Sequence, residues 1–239
     1  VNFLLEKNCE LNNNACSTIN FKAKCTPFMT FLKEKGADFS NMRLSDGNLL
    51  IVHSINECAS LNTVKQLISE GVSLNEQIIS ENNLLYIVGS MARAELFDFL
   101  SSFKPKFNYA NECFHSVESR MFDMSYHQNY QNSKYYKDCL KIAESLLRDY
   151  NVDPNDSKNV SYAFTHSLID ILELLSRYNS DFSNIRINCS EWFYDYDSDL
   201  FGENLEFLKD KNVDINKILS DESNPIIVEA IKALKVDII

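Results

Sequence analysis

The chain has 239 residues, 45% hydrophobic and 24% charged, enough apolar material for a sizeable core and too little polar bias for a disordered tail. It holds only 5 glycines and 4 prolines, where average usage would give about 17 and 12; many tight β-turns are excluded, and neither GxGxxG nor GxxxxGK followed by Ser or Thr is present to cradle a phosphate. A net charge of −11 repels nucleic acid and anionic membrane surfaces and favours a basic partner.

Apolar residues at three- and four-residue spacing predict a succession of short helices. The first three cover 1–7, 14–22 and 27–35, with Thr26 and Pro27 forming a sensible helix start. Next come 48–57 with 63–70, then 83–90 with 93–103. An insertion at about 109–134 contains a helix over 110–122 and leads into one over 134–149, and 158–165 with 167–178 follow. Ser190 and Glu191 open a helix over 190–197, and another covers 203–211. The string PIIVEAIKAL predicts a closing helix over about 225–235, with Lys232 and Lys235 near the end that favours positive charge.

The helices end on one rewritten phrase. KNCELN, KGADFS, EGVSLN, KPKFN, YNVDPN, NSDFS and KNVDIN align so that Asn8, Gly36, Gly71, Lys104, Asn151, Asn179 and Asn212 share one slot. Glycine and asparagine best tolerate the left-handed conformation that stops a helix. Four residues earlier stand Leu4, Leu32, Leu67, Leu100, Leu147, Leu175 and Leu208. Three residues after the stop come Leu11, Phe39, Leu74, Phe107, Phe182 and Ile215, with Pro154 breaking the column. Then follow Asn12, Ser40, Asn75, Asn108, Asn155, Ser183 and Asn216, whose short polar side chains can bond a nearby backbone group. Stops lie 28, 35, 33, 47, 28 and 33 residues apart.

A helix-stop-turn unit of about 33 residues resembles the ankyrin repeat, whose second helix ends in VxxLLxxGAxxN. Val1, Leu4, Leu5, Asn8, Cys9 and Asn12 fit that pattern, as do Val64, Leu67, Ile68, Gly71, Val72 and Asn75. The TPLH opening of the family's first helix is present only as the drifted strings NLLI (48–51) and NLLY (83–86). The resemblance implies an all-α, ankyrin-like solenoid of about seven stacked helix pairs, forming a single domain over 1–239 with an irregular central insertion. The helix over 1–7 that ends on the first stop has no partner helix before it, so the chain begins either on a capping half repeat or inside something longer.

Two regions stand out as contact surfaces. The 47-residue interval holds Tyr126, His127, Gln128, Tyr130, Tyr135 and Tyr136, and tyrosines supply large contact area at little entropic cost; the bland alternative is that they merely pack. Between Glu191 and Glu222 ten acids face three lysines, so this stretch carries seven of the eleven net negative charges. A clustered negative field steers a basic partner. The candidate partner-binding residues are therefore Tyr126, Tyr130, Tyr135, Glu191, Asp195, Asp197, Asp199 and Glu203. Asp195, Asp197, Asp199 and Glu206 match positions 1, 3, 5 and 12 of an EF-hand loop, but Leu200 fills position 6, where the sharp turn needs glycine. Repeat-loop acids are the better account, and no metal or cofactor is expected.

His53, His115, His127 and His166 show no zinc-protease spacing, and no GxSxG surrounds a serine, so no catalytic residue is assigned. Cys9, Cys16, Cys25, Cys58, Cys113, Cys139 and Cys189 never form CxxC and are expected to be reduced and mostly buried. Without an apolar run of 18 residues, and with Glu6 and Glu10 where a signal peptide would be apolar, a soluble cytoplasmic protein is expected. The resemblance implies a non-catalytic binding module, monomeric alone. The leading expectation is an inhibitor that occludes a basic protein, one version being an immunity protein against a bacterial nuclease toxin. The alternatives are a secreted effector or scaffold gripping a host protein, and a fragment of a larger enzyme.

Overall fold

The computed structural model describes residues 47–125, 129–187, 198–214 and 218–220, together with positions 33, 34, 39, 43 and 225. Within these the chain is helical. The helices are α1 Leu50–Asn56, α2 Leu61–Ser69, α3 Glu76–Glu81, α4 Leu84–Ser90, α5 Ala94–Ser101, α6 Ala110–Ser125, α7 Lys134–Asp149, α8 Ser157–Thr165, α9 Ile169–Arg177 and α10 Ser198–Asp210. Short 3-10 turns occupy Tyr130–Asn132 and Phe182–Asn184. The predicted helices at 1–7, 14–22 and 190–197, all but two residues of 27–35 and all but the first of 225–235 lie outside the described residues.

Three differences from the predicted pattern have local causes. Asn75, read as a turn residue, caps an extra helix, its side chain accepting from the Ile78 N–H at 2.9 Å. The helix expected over 110–122 runs on to Ser125, so that α6 and α7 each span 16 residues. Ser133 starts α7 by accepting from the Tyr136 N–H at 3.1 Å. Finally, α10 begins at Ser198, five residues ahead of the expected 203. A helix over those residues is incompatible with an EF-hand loop spanning 195–206.

The repeated phrase has one backbone meaning. Every stop residue in the described chain has positive φ: Gly71 at 103°, Lys104 at 52°, Asn151 at 53°, Asn179 at 63° and Asn212 at 55°. At three of these stops the leucine four residues earlier supplies the carbonyl that closes the helix, while at Asn151 the Val152 N–H reaches Leu146 instead, at 3.4 Å. Leu67, Leu175 and Leu208 accept from the N–H groups of Val72, Ser180 and Val213 at 3.0, 3.1 and 3.0 Å, the six-to-one bond of a Schellman stop. At Lys104 the following residue is Pro105, which has no N–H to give. The leucine side chains then enter the core: Leu67, Leu100, Leu147, Leu175 and Leu208 are all buried.

Lysine pays for the left-handed region where glycine would not. Lys104→Gly is therefore expected to stabilise by about 0.5 kcal/mol, and Asn179→Ala to cost about 1 kcal/mol, both read from urea midpoints at constant slope.

By its contacts the chain forms two compact units, Val1–Met91 with Glu95–Asn108, and Ala92–Ala94 with Tyr109–Ile239. In the first, α1 packs on α2 and on α4, and α3 on α4. In the second, α6 packs on α7 and α8, α8 on α9, and α9 on both α7 and α10. Helices two apart in the chain thus touch, α6 with α8 and α7 with α9, and α9 in turn touches α10. The turns are joined as well, since the Asp181 N–H donates to Asn155 Oδ1 at 2.6 Å. Two short strands, β1 Arg186–Ile187 and β2 Leu219–Ser220, pair in parallel with Arg186 opposite Leu219. Their offset equals the spacing from Asn179 to Asn212, so the same segment of consecutive repeats lies side by side.

Aromatic packing ties α8, the turn after α9 and α10 together. Phe164 on α8, Phe182 in the turn after α9 and Phe207 on α10 meet edge to face, with centroids 5.8, 6.1 and 5.3 Å apart. Asn204, fully buried on α10, donates Nδ2 to the Phe164 carbonyl at 2.9 Å and to Ser167 Oγ at 2.8 Å. A buried amide anchored in this way fixes where α10 sits on the end of α8.

Candidate functional site

α10 has two faces. Asn204, Phe207 and Leu208 are buried while Glu203, Glu206 and Asp210 are exposed, the spacing that puts three acids on one side of a helix. That acidic side borders a cleft of about 360 Å³. Asp170 and Glu173, three apart on α9, line it as well, as do Tyr130 of the 3-10 turn and Tyr136 of α7. Ser167, Ile169 and Phe207 contribute small and apolar surface, and no Lys or Arg is among the lining residues.

The tyrosines are built into the wall. Tyr136 is 2% exposed, and its hydroxyl donates to Asp170 Oδ2 at 2.6 Å. Burial, then that hydrogen bond, pushes the Tyr136 phenol well up, so it stays a donor across the physiological range. Tyr130, half-buried, meets the Tyr136 ring edge to face at 5.0 Å. Burial raises the Tyr130 phenol; the hydrogen bond from Gln131 opposes this, and the Asp170 and Glu203 carboxylates reinforce it. The result is a negative groove with aromatic sides, shaped to receive a cationic side chain by charge pairing and ring contact.

Of the eight residues singled out from the sequence, the groove brings together Tyr130 and Glu203. Tyr135 is half-buried on α7 beside the charges of Arg120 and Asp123, outside the groove lining. Asp199 lies in the first turn of α10. Tyr126, Glu191, Asp195 and Asp197 lie outside the described residues. Tyr136, Asp170, Glu173, Glu206 and Asp210 were missing from that set. The i, i+3 spacing of Asp170 with Glu173 was visible, but only the packing of α9 on α10 gives it meaning.

A second polar cluster lies between α6 and α8. Glu118 is fully buried, with Oε2 3.4 Å from His115 Nδ1 and Oε1 without a hydrogen-bond partner. Burial holds its carboxyl well above the usual carboxylate range. Between the ordinary and the raised value the folded chain keeps a proton that the unfolded chain releases, so stability falls as pH rises through that window. Glu118→Gln is expected to remove that pH dependence and to stabilise at neutral pH, as checked by urea unfolding from pH 5 to 8.

Cys113 and Cys139 are buried, and burial pushes both thiols up to about 12; Cys58 is exposed. Among the described residues no group of three or more His, Cys, Asp or Glu could hold a metal ion, and no helix is long and apolar enough to cross a membrane. Comparison with known proteins finds no family model, no curated protein and no solved structure that matches the chain.

Proposed function

We propose that this chain is a non-catalytic binding protein, a divergent ankyrin-like solenoid of about seven helix pairs, that holds a basic protein partner in its acidic groove and inhibits it by occlusion. The observation that carries the reading is the groove itself, which has five carboxylates, two tyrosines and no basic residue in its lining. Support for the solenoid comes from the contacts between helices two apart in the chain and from the parallel pairing one repeat apart. A protein that acts on nucleic acid must attract phosphate and carries a positive active site. An acidic plug over that site blocks the substrate, as an immunity protein would block a nuclease toxin in the cytoplasm. Association is electrostatically steered, so its rate falls steeply with salt.

Isolating the chain from its own cells at low ionic strength tests this. A basic protein is expected to accompany it and to lose activity on its substrate while bound. A neutral or acidic companion, or one that stays active in the complex, would overturn the proposal.

A further inference from the structure

The rings between α6 and α8 form a stack that the groove does not use. His166, the residue that ends α8, lies 4.0 Å from the Phe122 ring and 4.1 Å from Tyr162. His115 meets Tyr162 edge to face at 4.8 Å, and its Nδ1 faces the buried Glu118. His166 is also flanked in sequence by the two groups that hold α10: the Phe164 carbonyl two residues before it and Ser167 Oγ immediately after, both accepting from Asn204. Anything that shifts His166 therefore shifts the seat of α10, and with it Glu203, Glu206 and Asp210.

We propose that His115 and His166 form an acid-sensitive clasp, in which proton uptake loosens the end of α8 and releases α10 from its seat. A cation over aromatic faces gains some attraction, but here burial dominates: it lowers His166 to about 4, helped by the like charge of His115. Burial likewise lowers His115, with Lys158 in the same direction and Asp156 opposing it. Burial raises the Glu118 carboxyl, which weakens it as a countercharge. The elements packed against α8 also carry Glu112, Arg120 and Asp123 on α6, Asp170, Glu173 and Arg177 on α9, and Arg186 on β1.

The sign follows from these values. An opening that returns His166 to its ordinary 6.5 binds more protons than the closed form between pH 6.5 and 4, so acid favours opening. From pH 7 to pH 5 the closed-to-open ratio falls by about twenty-fold for this one group. The consequence for the partner, release at low pH, rests on the groove being the binding surface. The loosening does not.

Amide hydrogen exchange of the full chain without partner tests the clasp, with protection factors corrected for intrinsic rates at pH 7 and 5. In the unsubstituted protein, α8 and α10 are expected to lose about ten- to twenty-fold in protection at pH 5 while α1 and α4 change little. His166→Phe, which keeps a ring in the stack, is expected to abolish most of that loss. An equal loss in His166→Phe, or none in the unsubstituted chain, overturns the proposal. Should that variant fail to fold, the native titration of the imidazole by NMR decides: a His166 midpoint near 4 supports the clasp, and one near 6.5 overturns it. Because no partner is present, failure here leaves the binding reading standing, and loss of binding at pH 7 would fail that reading alone.

Discussion

Leu175→Ala is expected to destabilise the second unit by about 2–5 kcal/mol, against a typical total of about 5–15 kcal/mol. Leu175 is fully buried on α9, the helix that touches both α7 and α10, so the cavity opens where two repeats share their packing. The substitution keeps the backbone carbonyl that closes the helix against the Ser180 N–H, which isolates the loss of side-chain packing from any loss of the stop. Asn179→Ala makes the opposite cut, and its smaller cost separates the two contributions. Urea unfolding followed by helical circular dichroism measures both. A cost below about 1 kcal/mol for Leu175→Ala would mean that this leucine packs against nothing it depends on.

The double variant Glu203→Lys with Glu206→Lys is expected to weaken association with a basic partner by about a hundred-fold or more at low salt and to flatten the salt dependence. Both residues are exposed on the outer face of α10, so the fold should survive. Each reversal removes a negative charge and adds a positive one beside the remaining carboxylates, Asp170, Glu173 and Asp210. A control with the same change in net charge, Glu57→Lys with Glu81→Lys, alters exposed positions in the first unit. If global charge alone steered the partner, the two variants would weaken binding equally. The groove account expects the control to lose only several-fold. Titration of the purified partner across a salt series distinguishes the two.

The helix ends were legible because the stop is filled by residue types that announce it. Asparagine or glycine occupies four of the five described stops, and leucine stands four residues before each of them. A second set of stops was not legible. Cys58, Ala92 and Ser167 end α1, α4 and α8 with φ of 61°, 52° and 51°, and none of these residues favours that conformation by itself. At two of them the backbone closes as at the repeated stops: the Ala59 N–H reaches the Ser54 carbonyl and the Leu168 N–H the Ala163 carbonyl, both at 2.9 Å. α3 was missed because six residues are too few to establish a helical period.

The groove was half legible for a similar reason. Tyr130 and Glu203 drew attention through local enrichment of their own residue types. Asp170 and Glu173 lie in a mixed stretch of α9 and become part of the site only because α9 packs on α10. Tyr136 looked like one tyrosine among several until its hydroxyl was found on Asp170.

Paired affinity capture tests the central claim most directly. The unsubstituted chain, the Glu203→Lys/Glu206→Lys groove variant and the Glu57→Lys/Glu81→Lys control would each serve as bait in extract from the cells that make the protein, at low salt. The account predicts one basic protein retained by the unsubstituted chain and by the control, absent from the groove variant, and eluted by raising salt. Retention of the same protein by all three baits, or capture only of proteins without basic character, would contradict it.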